Sequence, residues 1–274
     1  MEIVKPQVEL WVQDDPIAHV ARCARICYAS DKTSGNEAMY QRLIDSNHKS
    51  MFRHQSVYYI IPYKGWRLAN LQRYEECPYL EFRYESDYIY VSTNKQFVME
   101  HSNFEESYRE FEVDGLQFEN TPIGFELMRY TFKVVTQIST SRELNRVSPN
   151  NIAEQSTRYV NLSKKGGAIC QPYWLKDEDI KDENNEIVGE YIISCNNSFM
   201  SYNNLLECGM KPQDARGVLP LDTATICVYT YSIAEWRHII DLRYYGTTGA
   251  AHPNAVIIAD MIRKKLIDVG YEFR

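Results

Sequence analysis

The chain has 274 residues, 44% of them hydrophobic, which is long enough to bury one large core or two small ones. Its formal net charge of −7 at pH 7 excludes a general binder of nucleic acid or membrane surfaces, so a basic site must be a local cluster, suited to a small anionic ligand. Seven cysteines without a Cys-x-x-Cys pair, and no signal-peptide pattern, predict reduced thiols in a cytoplasm, and no apolar run approaches the ~18 residues of a membrane span.

Glu2 to Gln13 alternates apolar and polar residues through Val4, Val8, Leu10 and Val12, predicting a first strand. Asp14-Asp15-Pro16 then caps a helix through Ile17, Val20, Ala21, Ala24 and Cys27. Cys23 and Cys27 share a face of that helix and are expected in the core, and no metal site is expected anywhere in the chain. Asn36 to Ser46 predicts a second helix burying Met39, Leu43 and Ile44. Val57 to Ile61 reads as a strand ended by Pro62, and Tyr79 to Val91 continues the strand pattern through Phe82, Tyr84, Tyr88 and Tyr90. Such an aromatic stripe is expected in a core or a subunit interface.

Met128 to Thr136 is rich in β-branched and aromatic residues, and Ser139 to Ser141 offers N-cap hydroxyls for a short helix from about Arg142, closed by Pro149. Arg142 and Arg146, four apart, would share a face of it, and Arg158 follows in an extended or looped run with Ser156 and Tyr159. Forked guanidinium groups beside hydroxyls suit a phosphate oxygen or a planar carbonyl. The same stretch also reads as a surface salt-bridge helix with Glu143 and Glu154 as partners. Lys176 to Glu190 is charge-rich and predicts a solvated loop with a turn at Asn184-Asn185. A helix from about Glu190 to Glu207 follows, with Gly209 in the C-cap position and Pro212 starting another. No Gly-x-Gly-x-x-Gly turn is present, which disfavours a Rossmann dinucleotide domain.

Arg146, Glu154, Ser156, Arg158 and Tyr159 fall on a pattern that resembles the signature of the flavin-dependent thymidylate synthases, the ThyX family. That signature is Arg-His-Arg, seven residues, then Ser, in a Glu-x-Ser-x-Arg-Tyr setting. Val147 and Ser148 stand where the family has its His and second Arg. The resemblance extends to the run Arg22 to Tyr28. It also covers His48, Ser50 and His54, which match a His-x-Ser/Thr-x-x-Glu-His block in which Arg53 replaces the Glu. Gly209 to Pro220 is similar to the family's Ala-Arg-x-Val-Leu-Pro segment and places Arg216 on a nucleotide-binding arginine. Glu235 to Arg243 is similar to its Glu-Trp-Arg-His helix, in which Arg243 lands on the arginine that polarises the pyrimidine. Ala251-His252-Pro253 opens a last helix with Ile258, Met261, Ile262 and Leu266 on its apolar face. Residues 64–127 exceed the family pattern and are expected to be an insertion in a single domain spanning 1–274.

The resemblance implies an α+β fold, a twisted, largely antiparallel sheet flanked by long helices, assembled as a homotetramer or as a hetero-oligomer with an intact relative. It implies a pyrimidine nucleoside monophosphate held by Glu143, Arg146, Glu154, Ser156, Arg158, Arg216 and Arg243, with Arg243 and Ser156 in the catalytic role. His48, Ser50, His238 and His252 fall on its cofactor side. The reaction it implies is methyl transfer from methylenetetrahydrofolate to C5 of dUMP or UMP, with FAD as relay and NADPH as reductant. Changes at Arg53, Val147, Ser148, Ala153, Ser232 and Ala234 fall on the flavin side and predict weak or altered FAD binding. Three readings stay open: a C5-modifying enzyme with FAD, a flavin-independent C5 modification such as hydroxymethylation, and a non-catalytic nucleotide-binding subunit.

Overall fold

The computed structural model describes residues 1–28, 35–158, 162, 167–182 and 184–274. Its strands are β1 (Glu2–Val4), β2 (Gln7–Trp11), β3 (Ser56–Pro62), β4 (Glu81–Glu85), β5 (Tyr88–Asn94), β6 (Glu112–Val113), β7 (Arg129–Gln137), β8 (Ile152–Glu154), β9 (Ala168–Cys170) and β10 (Ala224–Ser232). The helices of the N-terminal half are α1 (Pro16–Tyr28), α2 (Asn36–Asp45), α3 (Gly65–Gln72), α4 (Lys95–Glu100), α5 (Ser102–Tyr108), α6 (Gly115–Glu119) and α7 (Pro122–Phe125). Those of the C-terminal half are α8 (Ile138–Leu144), α9 (Asp177–Lys181), α10 (Glu186–Glu207), α11 (Pro212–Ala215), α12 (Ile233–Arg243) and α13 (Pro253–Val269).

Two antiparallel sheets, ordered β2-β7-β10-β8 and β4-β5-β3-β6, carry the molecule, and a short parallel pair joins β1 to β9. The α+β class expected from the sequence is therefore what the chain adopts. In the first sheet the period of two along β7 and β10 sorts side chains onto two faces. Phe132, Val134, Cys227, Tyr229 and Tyr231 form one core with Trp236 and Ile240 of α12 and Ile258, Ile262 and Leu266 of α13. Val228 and Ala153 turn the other way and pack with Val20, Ala21 and Ala24 of α1 and with Met51 and Phe52. Long helices thus lie on both faces of this sheet. The second sheet has its own core, in which Val57, Tyr59, Ile61, Ile89 and Val91 meet Leu71, Phe97 and Phe104. Tyr58 and Phe118 reach from this region into the first core, their rings stacked 4.6 Å apart.

Several expectations need correction. The first strand is two strands, because Pro6 lacks the N–H that would continue a ladder. Ile44 is 39% exposed, leaving Met39 and Leu43 as the buried stripe of α2. Strand β3 does end at Pro62, as expected, but takes it in as its last residue and starts one residue earlier, at Ser56. Tyr84 and Tyr88 are 58% and 45% exposed, while Phe82 and Tyr90 pack half-buried against the second and first cores, so only half of the stripe reaches a core; the alternate residues Ile89 and Val91 are fully buried. The stretch 176–190 is not one loop: acidic residues in the first turn support α9, and Asn185 caps α10 by accepting from the Val188 N–H. Helix α8 begins four residues earlier than expected and has no side-chain cap, its hydroxyls lying inside the helix. The expected cap holds at α1, where Asp15 accepts from the Ile17 N–H, and α11 opens on Pro212 as expected.

All seven cysteines are free thiols, Cys23 fully buried in the core between α1 and the sheet. Among the described residues no helix is long and apolar enough to cross a membrane, and no group of three or more His, Cys, Asp or Glu side chains is placed to hold a metal ion.

Candidate functional site

Strand β8 is pinned to β10 with Glu154 opposite Cys227, and the next residues keep that line: Gln155 N–H donates to the Ile226 carbonyl and Ser156 N–H to that of Cys27. Ser156 Oγ then accepts from the Arg158 N–H at 3.1 Å, turning the chain. On one side stands α8, which leaves β7 directly, and on the other the turn after α11 that carries Arg216. These three segments enclose a cleft of about 310 Å³ lined by Ser141, Arg142, Glu154, Ser156, Thr157, Arg158 and Arg216 among others. A second cleft of about 380 Å³ adjoins it and shares Ile138, Arg142, Thr157 and Arg216 as walls.

Arg216 Nη1 donates to Thr157 Oγ1 at 2.8 Å, which aims its guanidinium at the shared wall. Glu154 Oε1 accepts from Ser141 Oγ at 3.0 Å and from Thr225 Oγ1 at 3.1 Å, so the carboxylate is held at the base of the cleft. Three guanidinium cations against one carboxylate leave a local charge of about +2 in a chain of net charge −7. That matches the −1.5 to −2 charge of a phosphate monoester near neutral pH.

Glu143, Arg146 and Arg243 form a separate cluster. Arg243 Nε donates to the Glu143 carbonyl at 2.7 Å, and its Nη2 lies 3.2 Å from the Glu143 carboxylate, which Arg146 also approaches at 3.5 Å. None of the three lines either cleft. The helix explains the division, since neighbouring residues point ~100° apart and Arg142 and Glu143 therefore serve different sides of α8. The expected shared face of Arg142 and Arg146 does not exist, because α8 ends at Leu144 and Asn145 leaves the helical conformation with ψ 64°. Sequence reasoning counted Arg142 among the guanidinium groups suited to a phosphate but left it out of the nucleotide-binding set, and it gave Thr157 no role. The signal available was Arg142 itself, one residue from Ser141 and on the helix entering the motif.

The family profile described as Thymidylate synthase complementing protein matches residues 89–269. The chain belongs to this family. Its fold is also similar to solved structures of a UMP/dUMP methylase, PolB from Streptomyces cacaoi, one bound with 5-Br dUMP and one with 5-Br UMP. Both show 17% sequence identity and a TM-score of 0.48 over 98% of this chain, and 93% and 92% of theirs. No curated protein matches the chain.

The positions that the family resemblance put on the cofactor side lie apart from the arginine clefts. His48 and His238 are exposed, Ser50 is half-buried, and His252 caps α13, its Nδ1 accepting from the Asn254 N–H at 3.2 Å. The substituted positions have other work. Arg53 donates to Gln96 Oε1 at 2.6 Å and to the Asn150 carbonyl at 3.0 Å, with its guanidinium 4.9 Å from the centre of the Tyr79 ring. Ser232 is fully buried and forms a capping box with Glu235 at the start of α12. Val147 packs against the main core, and Ala153 is buried against α1. These residues do not fit FAD by the contacts the family uses: one offers an already committed cation, one a committed hydroxyl and two only apolar surface. Tyr159, the last residue of the signature, lies outside the described residues.

Proposed function

We propose that this chain binds a pyrimidine nucleoside 5′-monophosphate, dUMP or UMP, and modifies C5 of its uracil ring. The observation that carries this reading is the convergence of Arg142, Arg158 and Arg216 with Ser156 on one cleft in an acidic chain of the thymidylate synthase complementing family. The phosphate is held by those arginines and Ser156, in charge-assisted and bidentate bonds.

Arg243 and Arg146 belong to the same reading, yet they stand in the other cluster. We infer that the ring end of the nucleotide meets the Glu143, Arg146 and Arg243 cluster of a second copy of the chain, in a homo-oligomer such as a tetramer. There Arg243 stabilises the negative charge that grows on the uracil carbonyls as C5 becomes nucleophilic toward the one-carbon unit of methylenetetrahydrofolate. Methyl transfer requires in addition a hydride, drawn ultimately from NADPH, for which FAD is the relay in the family. A second reading, hydroxymethylation, takes water in place of the hydride and needs no redox cofactor. It is favoured by the commitment of Arg53 and Ser232 elsewhere.

The chain is read as a single domain, supported by Tyr90 and Phe118 packing into the main core, with residues 64–127 as a proposed insertion of which 89–127 fall within the family match. Free thiols throughout support a cytoplasmic location. Calorimetry with dUMP and UMP tests the binding step, and incubation with methylenetetrahydrofolate, with and without FAD and NADPH, followed by mass measurement of the nucleotide, tests the reaction. No heat with either nucleotide at millimolar concentration defeats the proposal.

A further inference from the structure

Strand β4 stands at the edge of the second sheet, paired with β5 in unbroken register from Glu81 opposite Ser92 to Glu85 opposite Tyr88. Among the described residues no strand pairs with its other side. It contains neither a proline nor a bulge, two of the devices that keep an edge from pairing. A hollow of about 690 Å³ opens along it, larger than either arginine cleft, and residues 80–84 line it in unbroken succession. Successive side chains of a strand point to opposite faces, so a hollow on one face of the sheet would be lined by alternate residues. One lined by five in a row looks onto the edge itself, where the main-chain N–H and C=O groups that β5 does not use are presented.

The side chains at this edge are uncommitted. Glu75, Glu81 and Arg83 line the hollow, and among the described residues none of them makes an ion pair or a side-chain hydrogen bond. Glu81 also adds to the negative field on Glu235. Tyr84 is 58% exposed and its ring lies 5.9 Å from that of Tyr63, 41% exposed, which leaves an aromatic pair on the surface beside the edge.

The order of charges on β4 selects what can pair with it. Glu81, Arg83 and Glu85 alternate in sign along one face, and a second β4 related by a two-fold axis runs antiparallel to the first. Opposite charges directly across a ladder stabilise it and like charges weaken it. With the axis at Arg83, Arg83 faces its own copy and Glu81 faces Glu85, so like charges meet throughout. With the axis at Tyr84, Arg83 meets Glu85, but Glu81 meets Asp87, and the turn residue Ser86, with φ 50°, falls inside the ladder. With the axis at Phe82, Glu81 meets Arg83 on both sides and Leu80 meets Tyr84. The residues paired are then 80–84, the same ones that line the hollow.

We propose that β4 pairs antiparallel with β4 of a second copy of this chain, about a two-fold axis through Phe82, joining two four-stranded sheets into one of eight strands. Main-chain hydrogen bonds hold the two edges together, and a Glu81–Arg83 pair on each side of the axis fixes the register. The hollow shares no lining residue with the arginine clefts, so this interface is independent of them.

The mass of the intact protein in solution, measured by light scattering at micromolar concentration, tests the charge pairs. The wild type should be an even-numbered oligomer. Arg83→Glu, which sets two carboxylates against each other on both sides of the axis, should halve its mass, and Glu81→Arg combined with Arg83→Glu should restore it. A monomeric wild type, an Arg83→Glu protein of unchanged mass, or a folded double variant that stays at half mass overturns the proposal. The register has its own test under mild oxidation. Phe82→Cys should join two copies through a disulfide, whereas Tyr84→Cys, roughly 14 Å from its counterpart across the axis, should not. A Phe82→Cys protein that cross-links no more than the wild type with its own seven thiols, or no more than Tyr84→Cys, also overturns the proposal, and this comparison decides where a charge variant fails to fold.

Discussion

Arg243 reaches from the last turn of α12 to Glu143, donating through Nε to its main-chain carbonyl at 2.7 Å and placing Nη2 3.2 Å from its carboxylate. With Trp236 and Ile240 of the same helix fully packed in the core, the guanidinium is fixed from both ends. Such an arginine is preorganised, and its influence on a reaction should exceed its influence on binding. Arg243→Ala is expected to lower kcat about a hundredfold or more while nucleotide affinity falls less. Glu143→Gln keeps the carbonyl anchor and should lower kcat by about tenfold or less. Steady-state kinetics beside calorimetry separate the two quantities, and equal losses for Arg243→Ala would leave it a binding or structural residue.

Arg142, Arg158 and Arg216 share the walls of the cleft proposed to hold the phosphate. Each replaced singly by Ala should cost about 1.5–3 kcal/mol of dUMP or UMP binding, and Arg216→Lys should recover only part of the loss because an ammonium lacks the fork. Binding should weaken as salt is raised, since all three are exposed. Titrations at two ionic strengths check both statements, and an Arg142→Ala protein with unchanged affinity would remove that residue from the site.

Of the positions that the resemblance puts on the flavin side, Arg53 and Ser232 are committed to neighbouring groups and Val147 and Ala153 are apolar, so the purified protein should be colourless or hold FAD weakly and below stoichiometry. An absorption spectrum in the flavin region decides this. Val147→His with Ser148→Arg should raise FAD affinity, with some loss of stability because Val147 packs against the main core. A yellow wild-type protein with stoichiometric FAD would show that other contacts carry the cofactor.

His19 and His54 make stability depend on pH. Their folded pKa values, about 4 and about 3, lie below the unfolded 6.5, so the unfolded chain binds more protons as pH falls below 6.5. Their contribution is complete above that value and is lost on acidification through the folded values. By pH 5 each should have removed about 2 kcal/mol. Urea denaturation at pH 7 and pH 5 measures the sum, and a midpoint unchanged between them would contradict the buried, neutral state of both rings.

Local chemistry made much of the fold legible. Asp15 capping α1, Pro212 opening α11, Gly209 after α10 and the apolar stripe of α13 are statements about neighbours in sequence, and the structure repeats them. The order of the motif blocks was enough to mark the family as well. What sequence spacing could not decide was the end of α8. Four-residue spacing put Arg142 and Arg146 on one face, but that holds only while the helix lasts, and it stops at Leu144, which is buried in the main core. Arg146 consequently turns to Glu143, and Arg142 alone of the pair enters the cleft. The meeting of Arg216 with Thr157, and of Arg243 with Glu143, joins residues 59 and 100 positions apart, respectively. Nothing local encodes those distances. They follow from β7, β8 and β10 lying side by side, which sets where each following turn begins. The commitments of Arg53 and Ser232 to neighbouring groups are likewise tertiary facts, decided by what each polar group finds within reach once water is excluded.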